Sequence, residues 1–323
     1  MTRLRVGLVG AGMVAAHHIA AWSRCPNADL VAVADPDVAA AARRSGPGVS
    51  VHRSLSDLLA RARVDAIDIA APVSTHAALV EEGVSAGLPV LCQKPLAPTA
   101  AQAEALVAGL PSDARVMLHE NWRWRPSYRE MRARIAGGGL PEDFELKVES
   151  SGLCPATDGT YPALVRQPFL AELERLIVFE LLGHHMDVLS FLFGPLEVIA
   201  ARTMRRTLAV RGEDFAEIDL LAGGVRGRLI GDFVRPDAPP RPRDTMWLNG
   251  REILSDWRLT LSGDEKSWAH EAGYQNSYDA CIRHFSECVA SEAAFETPVT
   301  HGITLLRHVE EVYRIARFQD LTS

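Results

Sequence analysis

The stretch VGLVGAGMVAAHH, residues 6–18, constrains the fold more than any other part of the chain. An apolar run from Leu4 to Gly10 reads as a strand buried on both faces. Gly10, Gly12 and Ala15 then fall on the spacing G-x-G-x-x-G/A at the opening of an alanine-rich helical segment. That spacing suits a tight strand-to-helix turn whose glycines let a pyrophosphate approach the backbone, where the helix N-terminus offers free N–H groups and a partial positive charge. Alone the pattern is weak, because the same glycines can serve packing only. The next β-rich run, Ala28 to Ala34, leads into Asp35, where a carboxylate would accept hydrogen bonds from an adenosine ribose and repel a 2′-phosphate. Gly10, Gly12, Met13, Val14 and Asp35 are therefore expected to bind NAD in preference to NADP. Arg43 and Arg44 lie too far along the chain to read as phosphate clamps.

Further runs at 64–71, 88–93 and 114–120 read as strands, and alanine-rich patterns at 38–44, 55–63, 75–86 and 100–108 as helices between them. Continuous apolar strands joined by helical crossovers mean a doubly wound parallel sheet of the α/β class. From about Asp143 the pattern changes. FELKVES, LEVIAARTMRR, FAEIDLLAGG, VRGRLIGDFVR, TMWLNGREIL and WRLTLSG follow one another, several joined by glycine-containing turns, the signature of a mostly antiparallel sheet. Helices are expected at 126–136, roughly 170–193, 278–290 and 303–318, and the proline-rich RPDAPPRPRD at 235–244 as a flexible surface excursion. With 323 residues, 47% of them hydrophobic, the chain can bury two cores. The expected organisation is a dinucleotide-binding domain over residues 1–122 and a second α/β domain over 123–323.

Composition narrows the partners. A net charge of −7 gives no footprint for nucleic acid and favours a small-molecule ligand. Five cysteines, odd in number and without a CxxC pair, suggest neither a disulfide framework nor a zinc ribbon and fit a reduced cytoplasm. Arg3 and Arg5 before an alanine-rich stretch imitate a secretory leader, but the glycine fingerprint lies inside it. The most apolar window, residues 176–193, carries Glu180, His184, His185 and Asp187, so no membrane span is expected.

Two further constellations carry chemistry. Lys94 stands just past the strand LPVLCQ, and ligands of parallel α/β sheets bind beyond the carboxyl ends of the strands. Pro95 restricts Lys94 to extended backbone. An ammonium there can hold a substrate hydroxyl, favour its alkoxide and shuttle a proton; the other reading is a surface lysine after an edge strand. In FELLGHHMDV, helical spacing puts Glu180, His184 and Asp187 on one face and His185 elsewhere. A carboxylate one turn from an imidazole orients a general acid/base, while a polar stripe at a domain interface is the alternative; too few ligands gather for a metal site. In ENWRWRP, Asn121 ends the last parallel strand, Arg123 suits a polyhydroxylated or anionic ligand, and Trp122 and Trp124 suit either sugar stacking or packing. Gln167 and Tyr274 are further candidates for substrate contact.

Taken together, the glycine loop, the AAPVSTH segment with Pro72 and His76, the Gln93-Lys94-Pro95 element, ENWRWRP, His184-x-x-Asp187 and the closing helix THGITLLRHVEEVY resemble the Gfo/Idh/MocA family of NAD(P)-dependent oxidoreductases. The resemblance runs nearly end to end. It implies a Rossmann domain followed by an open-faced sheet domain that often forms a homo-dimer or homo-tetramer interface. It also implies hydride transfer to or from a sugar, polyol, inositol or related compound. By the same resemblance Lys94 is catalytic, often with a cis peptide before the proline, and Glu180 and His184 match the family's Asp-x-x-x-His pair. Pro72, His76, Gln93, Lys94 and Asn121 join the cofactor site, and Lys94, Arg123, Gln167, Glu180, His184 and Tyr274 the substrate site. Gln93 stands where the family usually has glutamate, and Glu180 where it has aspartate. Two other functions remain open: a non-catalytic sugar- or NAD-sensing regulator, and a glycosidase that uses NAD for transient oxidation.

Overall fold

The computed structural model describes residues 3–261 and 263–322. The chain forms two compact units, one comprising the chain up to Trp124 with Tyr274–Leu306, the other Arg125–Gly273 with the chain from Arg307 onwards.

In the first unit, strands β1 (Leu4–Val9), β2 (Ala28–Ala34), β3 (Ser50–His52), β4 (Ala66–Ile69), β5 (Val90–Gln93) and β6 (Val116–His119) pair in parallel in the order β3-β2-β1-β4-β5-β6. Strands β4, β5 and β6 are buried along their whole length, which is why they read as unbroken apolar runs. Helices α1 (Ala15–Arg24), α2 (Val38–Arg44), α3 (Leu55–Arg61), α4 (His76–Ser85) and α5 (Ala100–Gly109) cross between them. Asp37, Ser54 and Thr99 cap α2, α3 and α5 by accepting from Ala40, Asp57 and Gln102 N–H. The strand order reverses between β1 and β4, the place where such sheets open a crevice for ligands.

The second unit contains helix α6 (Pro126–Gly138) and a nine-stranded sheet. Its strands are β7 (Asp143–Glu149), β8 (Leu196–Arg205), β9 (Phe215–Ala222), β10 (Val225–Asp232), β11 (Arg243–Leu248), β12 (Arg251–Ser255), β13 (Arg258–Leu261), β14 (Asp264–Ser267) and β15 (Arg317–Asp320), in the order β14-β13-β12-β11-β7-β10-β9-β8-β15. Most pairs are antiparallel; β7–β10 and β8–β15 are parallel. The short helix α7 (Pro162–Arg166) and the buried helix α8 (Gly183–Phe193) follow β7.

Several expectations need correction. The helix anticipated at 170–193 is three pieces: a 3₁₀ turn at Pro168–Glu172, a π-helical turn at Val178–Leu182, and α8. The helix anticipated at 303–318 runs Val299–Ile315, and the chain then pairs as β15. Strand β3 was too short to show a pattern. The proline-rich loop is pinned: Ser151 N–H donates to Pro239 O (2.9 Å), Ser150 Oγ and Arg166 Nη2 donate to Pro240 O, and Ala238 is buried. No described helix is long and apolar enough to cross a membrane.

Candidate functional site

At the end of β1 the chain turns through Gly10 at φ +104°, and a Cβ there would lie 2.4 Å from Ala70 O at the end of β4. Only glycine fits that crossing. Gly12 has the opposite surroundings: nothing lies within 4 Å of where its Cβ would be. Backbone is thus open to close approach, and Met13 beside it is exposed. Asp35 braces this loop. Its Oδ2 accepts from Ala11 N–H (2.7 Å) and its Oδ1 from Asp37 N–H (2.8 Å), which leaves each oxygen a second lone pair for a ribose hydroxyl. Arg44 is nearer than its place in the sequence suggests, because α2 folds back and Nε donates to Ala11 O (2.6 Å). The argument from distance along the chain against Arg44 as a phosphate contact therefore fails, and the preference for NAD rests on Asp35.

Pro72 opens the 3₁₀ turn Val73–Thr75 that leads into α4. His76, the first residue of α4, is buried and faces two carbonyls, Pro95 O at 2.8 Å from Nδ1 and Ala71 O at 2.9 Å from Nε2. It ties the loop after β4 to the loop after β5. Burial pushes its pKa down, while the facing carbonyls act in the opposite sense. Lys94 follows β5, and the Lys94–Pro95 peptide is cis. Its N–H donates to Gln93 Oε1 (2.8 Å). Asn121 Nδ2 donates to Ser277 Oγ (2.8 Å), and Arg123, almost fully buried, lies against Glu296 (3.3 Å) and His301 (3.1 Å). Trp122 is buried and Trp124 packs on His284 at 4.8 Å, which favours packing over sugar stacking for both. Tyr274 meets Tyr278, hydroxyl to hydroxyl at 3.2 Å.

In the second unit Glu180 lies within the π-helical turn while His184 and Asp187 follow in α8, so the three do not share one regular α-helix. A π-turn holds more residues per turn, and four positions separate Glu180 from His184 by nearly one such turn. His184 and Asp187 are buried in α8, and Glu180 is half-buried. Gln167 sits half-buried between α7 and the 3₁₀ turn.

Two buried acids that sequence reasoning missed support these residues. Glu213 accepts from Leu176 N–H (3.1 Å), Val178 N–H (3.1 Å) and Tyr313 OH (2.6 Å), and so anchors the start of the π-turn. Burial raises its pKa against those hydrogen bonds. Asp244 receives His185 Nε2 (3.0 Å) on Oδ1 and both Arg125 Nη1 (2.9 Å) and Tyr128 OH (2.7 Å) on Oδ2. Burial alone would raise the Asp244 pKa, but His185, Arg125 and Tyr128 outweigh it and hold the carboxyl at about 2. Among the described residues no group of three or more His, Cys, Asp or Glu side chains could hold a metal ion.

Residues 4–120 match the Gfo/Idh/MocA oxidoreductase family with an NAD-binding Rossmann fold. The chain is 34% identical to D-apiose dehydrogenase of Paraburkholderia graminis, an alignment covering 98% of this chain and 88% of the relative. It is 32% identical to D-apiose dehydrogenase of Rhizobium rhizogenes, covering 98% and 96%. The chain belongs to the Gfo/Idh/MocA family. The fold agrees. A crystal structure of an oxidoreductase from Agrobacterium radiobacter in complex with NAD+, L-tartaric acid and magnesium superposes with a TM-score of 0.85 at 24% identity, covering 97% and 96% of the two chains. A myo-inositol dehydrogenase from Corynebacterium glutamicum gives 0.77 at 21%, covering 97% and 96%. As a family member the chain is an NAD-dependent oxidoreductase. The loop fits that cofactor: a forced glycine at the crossing, an open glycine beside the helix start, and a carboxylate at the end of β2.

Proposed function

We propose that the substrate is D-apiose or a sugar close to it, because similarity to the two D-apiose dehydrogenases runs along almost the whole chain, through both units. When bound, NAD accepts or returns the hydride. Lys94 holds the substrate oxygen and stabilises its negative charge, His184 takes or gives the hydroxyl proton, and Glu180 orients His184. Gly10, Gly12, Met13, Val14, Asp35, Pro72, Gln93 and Asn121 serve the cofactor, with His76 acting through the Ala71 and Pro95 carbonyls. Arg123, Gln167 and Tyr274 are assigned to the sugar, Arg123 in competition with its bond to Glu296. On this reading residues 1–122 bind the dinucleotide, and residues 123–323 bind substrate and carry the contact for a homo-dimer or homo-tetramer. Five cysteines, none of them in a disulfide, support a cytoplasmic location.

The test is NADH absorbance at 340 nm across a sugar and polyol panel that includes D-apiose. Lys94→Ala and His184→Ala should each lower kcat by about 10²- to 10⁴-fold, with NAD+ still bound by calorimetry. Glu180→Gln should be milder and move the pH profile. Parental turnover in both alanine variants would remove the assignment. A sugar bound but never turned over would favour the sensor.

A further inference from the structure

A chain of buried polar groups runs beneath Lys94, all within the first unit. Asp68, in the middle of β4, is fully buried, as is His18 on α1. Asp68 Oδ2 receives His18 Nδ1 (2.7 Å) and Trp22 Nε1 (2.7 Å). His18 Nε2 meets Gln93 Nε2 at 3.1 Å, and the same amide nitrogen lies 3.3 Å from His119 Nδ1. Gln93 Oε1 accepts from Lys94 N–H.

The protons in this chain follow from one fixed end. A backbone N–H can only donate, so the Gln93 atom facing Lys94 is the carbonyl oxygen. The amide nitrogen then points at the two imidazoles, and its two hydrogens find lone pairs on His18 Nε2 and His119 Nδ1. With Nε2 of His18 accepting, its proton is on Nδ1, which is what the Asp68 carboxylate requires. Trp22 holds Asp68 in turn. Every donor faces an acceptor from the carboxylate to the Lys94 backbone, and the Gln93 amide cannot flip without breaking three contacts. Packing alone does not explain a carboxylate here, since β4 is otherwise apolar at Ala66, Ile67 and Ile69, and a buried ion is commonly no more stabilising than an apolar group of its size. One of its oxygens, Oδ1, has no hydrogen-bond partner at all.

We propose that Asp68 and His18 are positioning residues for Lys94, acting through Gln93, and that this relay is built for a neutral amide at position 93. The proposal rests on Lys94 being the catalytic lysine. A glutamate at 93 could still take the Lys94 N–H, but its other oxygen would face two lone pairs. To restore contact either His119 moves its proton from Nε2 to Nδ1, or His18 takes a second proton on Nε2 and becomes an imidazolium between two carboxylates. Cys92 and Tyr278 stay out of this exchange. Burial, with Asp68 nearby, pushes the Cys92 thiol up, and burial likewise raises the Tyr278 phenol; His119 is the remaining facing group, with Glu120 adjoining Tyr278.

The experiment uses the full chain saturated with NAD+ and labelled with ¹⁵N in its histidine rings, of which there are eleven. The His18 and His119 signals are assigned by their loss in His18→Gln and His119→Gln. In the parent at neutral pH His18 should show a protonated Nδ1 and a bare Nε2, and His119 a bare Nδ1; in Gln93→Glu one or both of these bare nitrogens should be protonated. Asp68→Asn, which can keep an accepting oxygen towards His18 and Trp22, should retain the parental tautomer and, with D-apiose as the probe, turnover within about threefold. Asp68→Ala should lose the single tautomer and lower kcat about 10- to 100-fold, with the KM for NAD+ nearly unchanged. A bare Nδ1 on His18 in the parent, or unaltered protonation of both His18 and His119 in Gln93→Glu, overturns the relay whether or not any sugar is turned over. A parental kcat in Asp68→Ala overturns its role in positioning Lys94.

Discussion

Removing the acceptor at Asp244 should unfold the second unit before it affects anything else. Asp244 is the common partner of His185, Arg125 and Tyr128, and all four are buried. Asp244→Ala leaves a guanidinium, a phenol and an imidazole without their acceptor, a loss of about 3–5 kcal/mol, the usual cost of breaking a buried ion pair from one side. Asp244→Asn should be milder, about 1–2 kcal/mol. Its oxygen can stay with Arg125 and Tyr128, while its amide turns to His185 Nε2; the His185 proton then sits on Nδ1, 3.2 Å from Leu181 O. The two variants also differ from the parent in pH dependence. A carboxyl held at about 2, against an ordinary value of 3.8, stabilises the fold fully above about pH 4 and loses that contribution as the pH falls through 2. The contribution is about 2 kcal/mol. The gap between parent and Asp244→Asn should therefore be widest at pH 7 and narrow by pH 3. Urea unfolding followed by tryptophan fluorescence at both pH values reads this, since Trp247, Trp257 and Trp268 all lie in the second unit. A gap that is the same at pH 7 and pH 3, or Asp244→Ala within about 0.5 kcal/mol of the parent, the range of an inert surface change, would refute the argument.

Two further outcomes are expected at the nucleotide loop. NAD+ should bind at least about tenfold, or 1.4 kcal/mol, more tightly than NADP+ by calorimetry, and Asp35→Ser should narrow that gap, with Arg44 free to meet a 2′-phosphate; equal affinities in the parent would remove Asp35 as the discriminator. Gly10→Ala should weaken NAD+ binding by at least about tenfold and lower the melting temperature, since its Cβ would collide with Ala70 O at a φ that itself costs about 1–3 kcal/mol. Parental binding and melting would contradict the crossing geometry.

The parallel sheet was legible because its strands read as continuous apolar runs alternating with alanine-rich helical segments. The glycine loop was legible because Gly10 and Asp35 answer geometric demands that few other residues meet. Glu180 was harder. Its spacing to His184 was visible, but nothing in a regular period announces a π-turn, which starts where Glu213, distant in sequence and held by Tyr313, takes up the N–H groups of Leu176 and Val178. Arg44 was misjudged because sequence distance does not register a short helix folding back. Asp68 did leave a signal, a lone charge inside the apolar strand AIDI, with His18 and Trp22 one turn apart on α1. A charge at such a position needs a partner. The pinned proline-rich loop left none, because carbonyls that accept hydrogen bonds carry no side-chain signature.

The outer edge of β6 has consequences for how the chain is made. Leu118 N–H donates to Thr297 O (2.8 Å), Thr297 Oγ1 returns a bond to Leu118 O (2.7 Å), and Met117 bridges Pro298. That cover comes from the far end of the sequence, so a ribosome that has just released β6 has released a sheet with one edge bare, and nearly the whole second unit must emerge before Thr297 arrives. Exposed edges recruit other strands. During synthesis the nascent first unit is therefore a natural client for chaperones, and an excised fragment ending near residue 122 would carry that bare edge permanently.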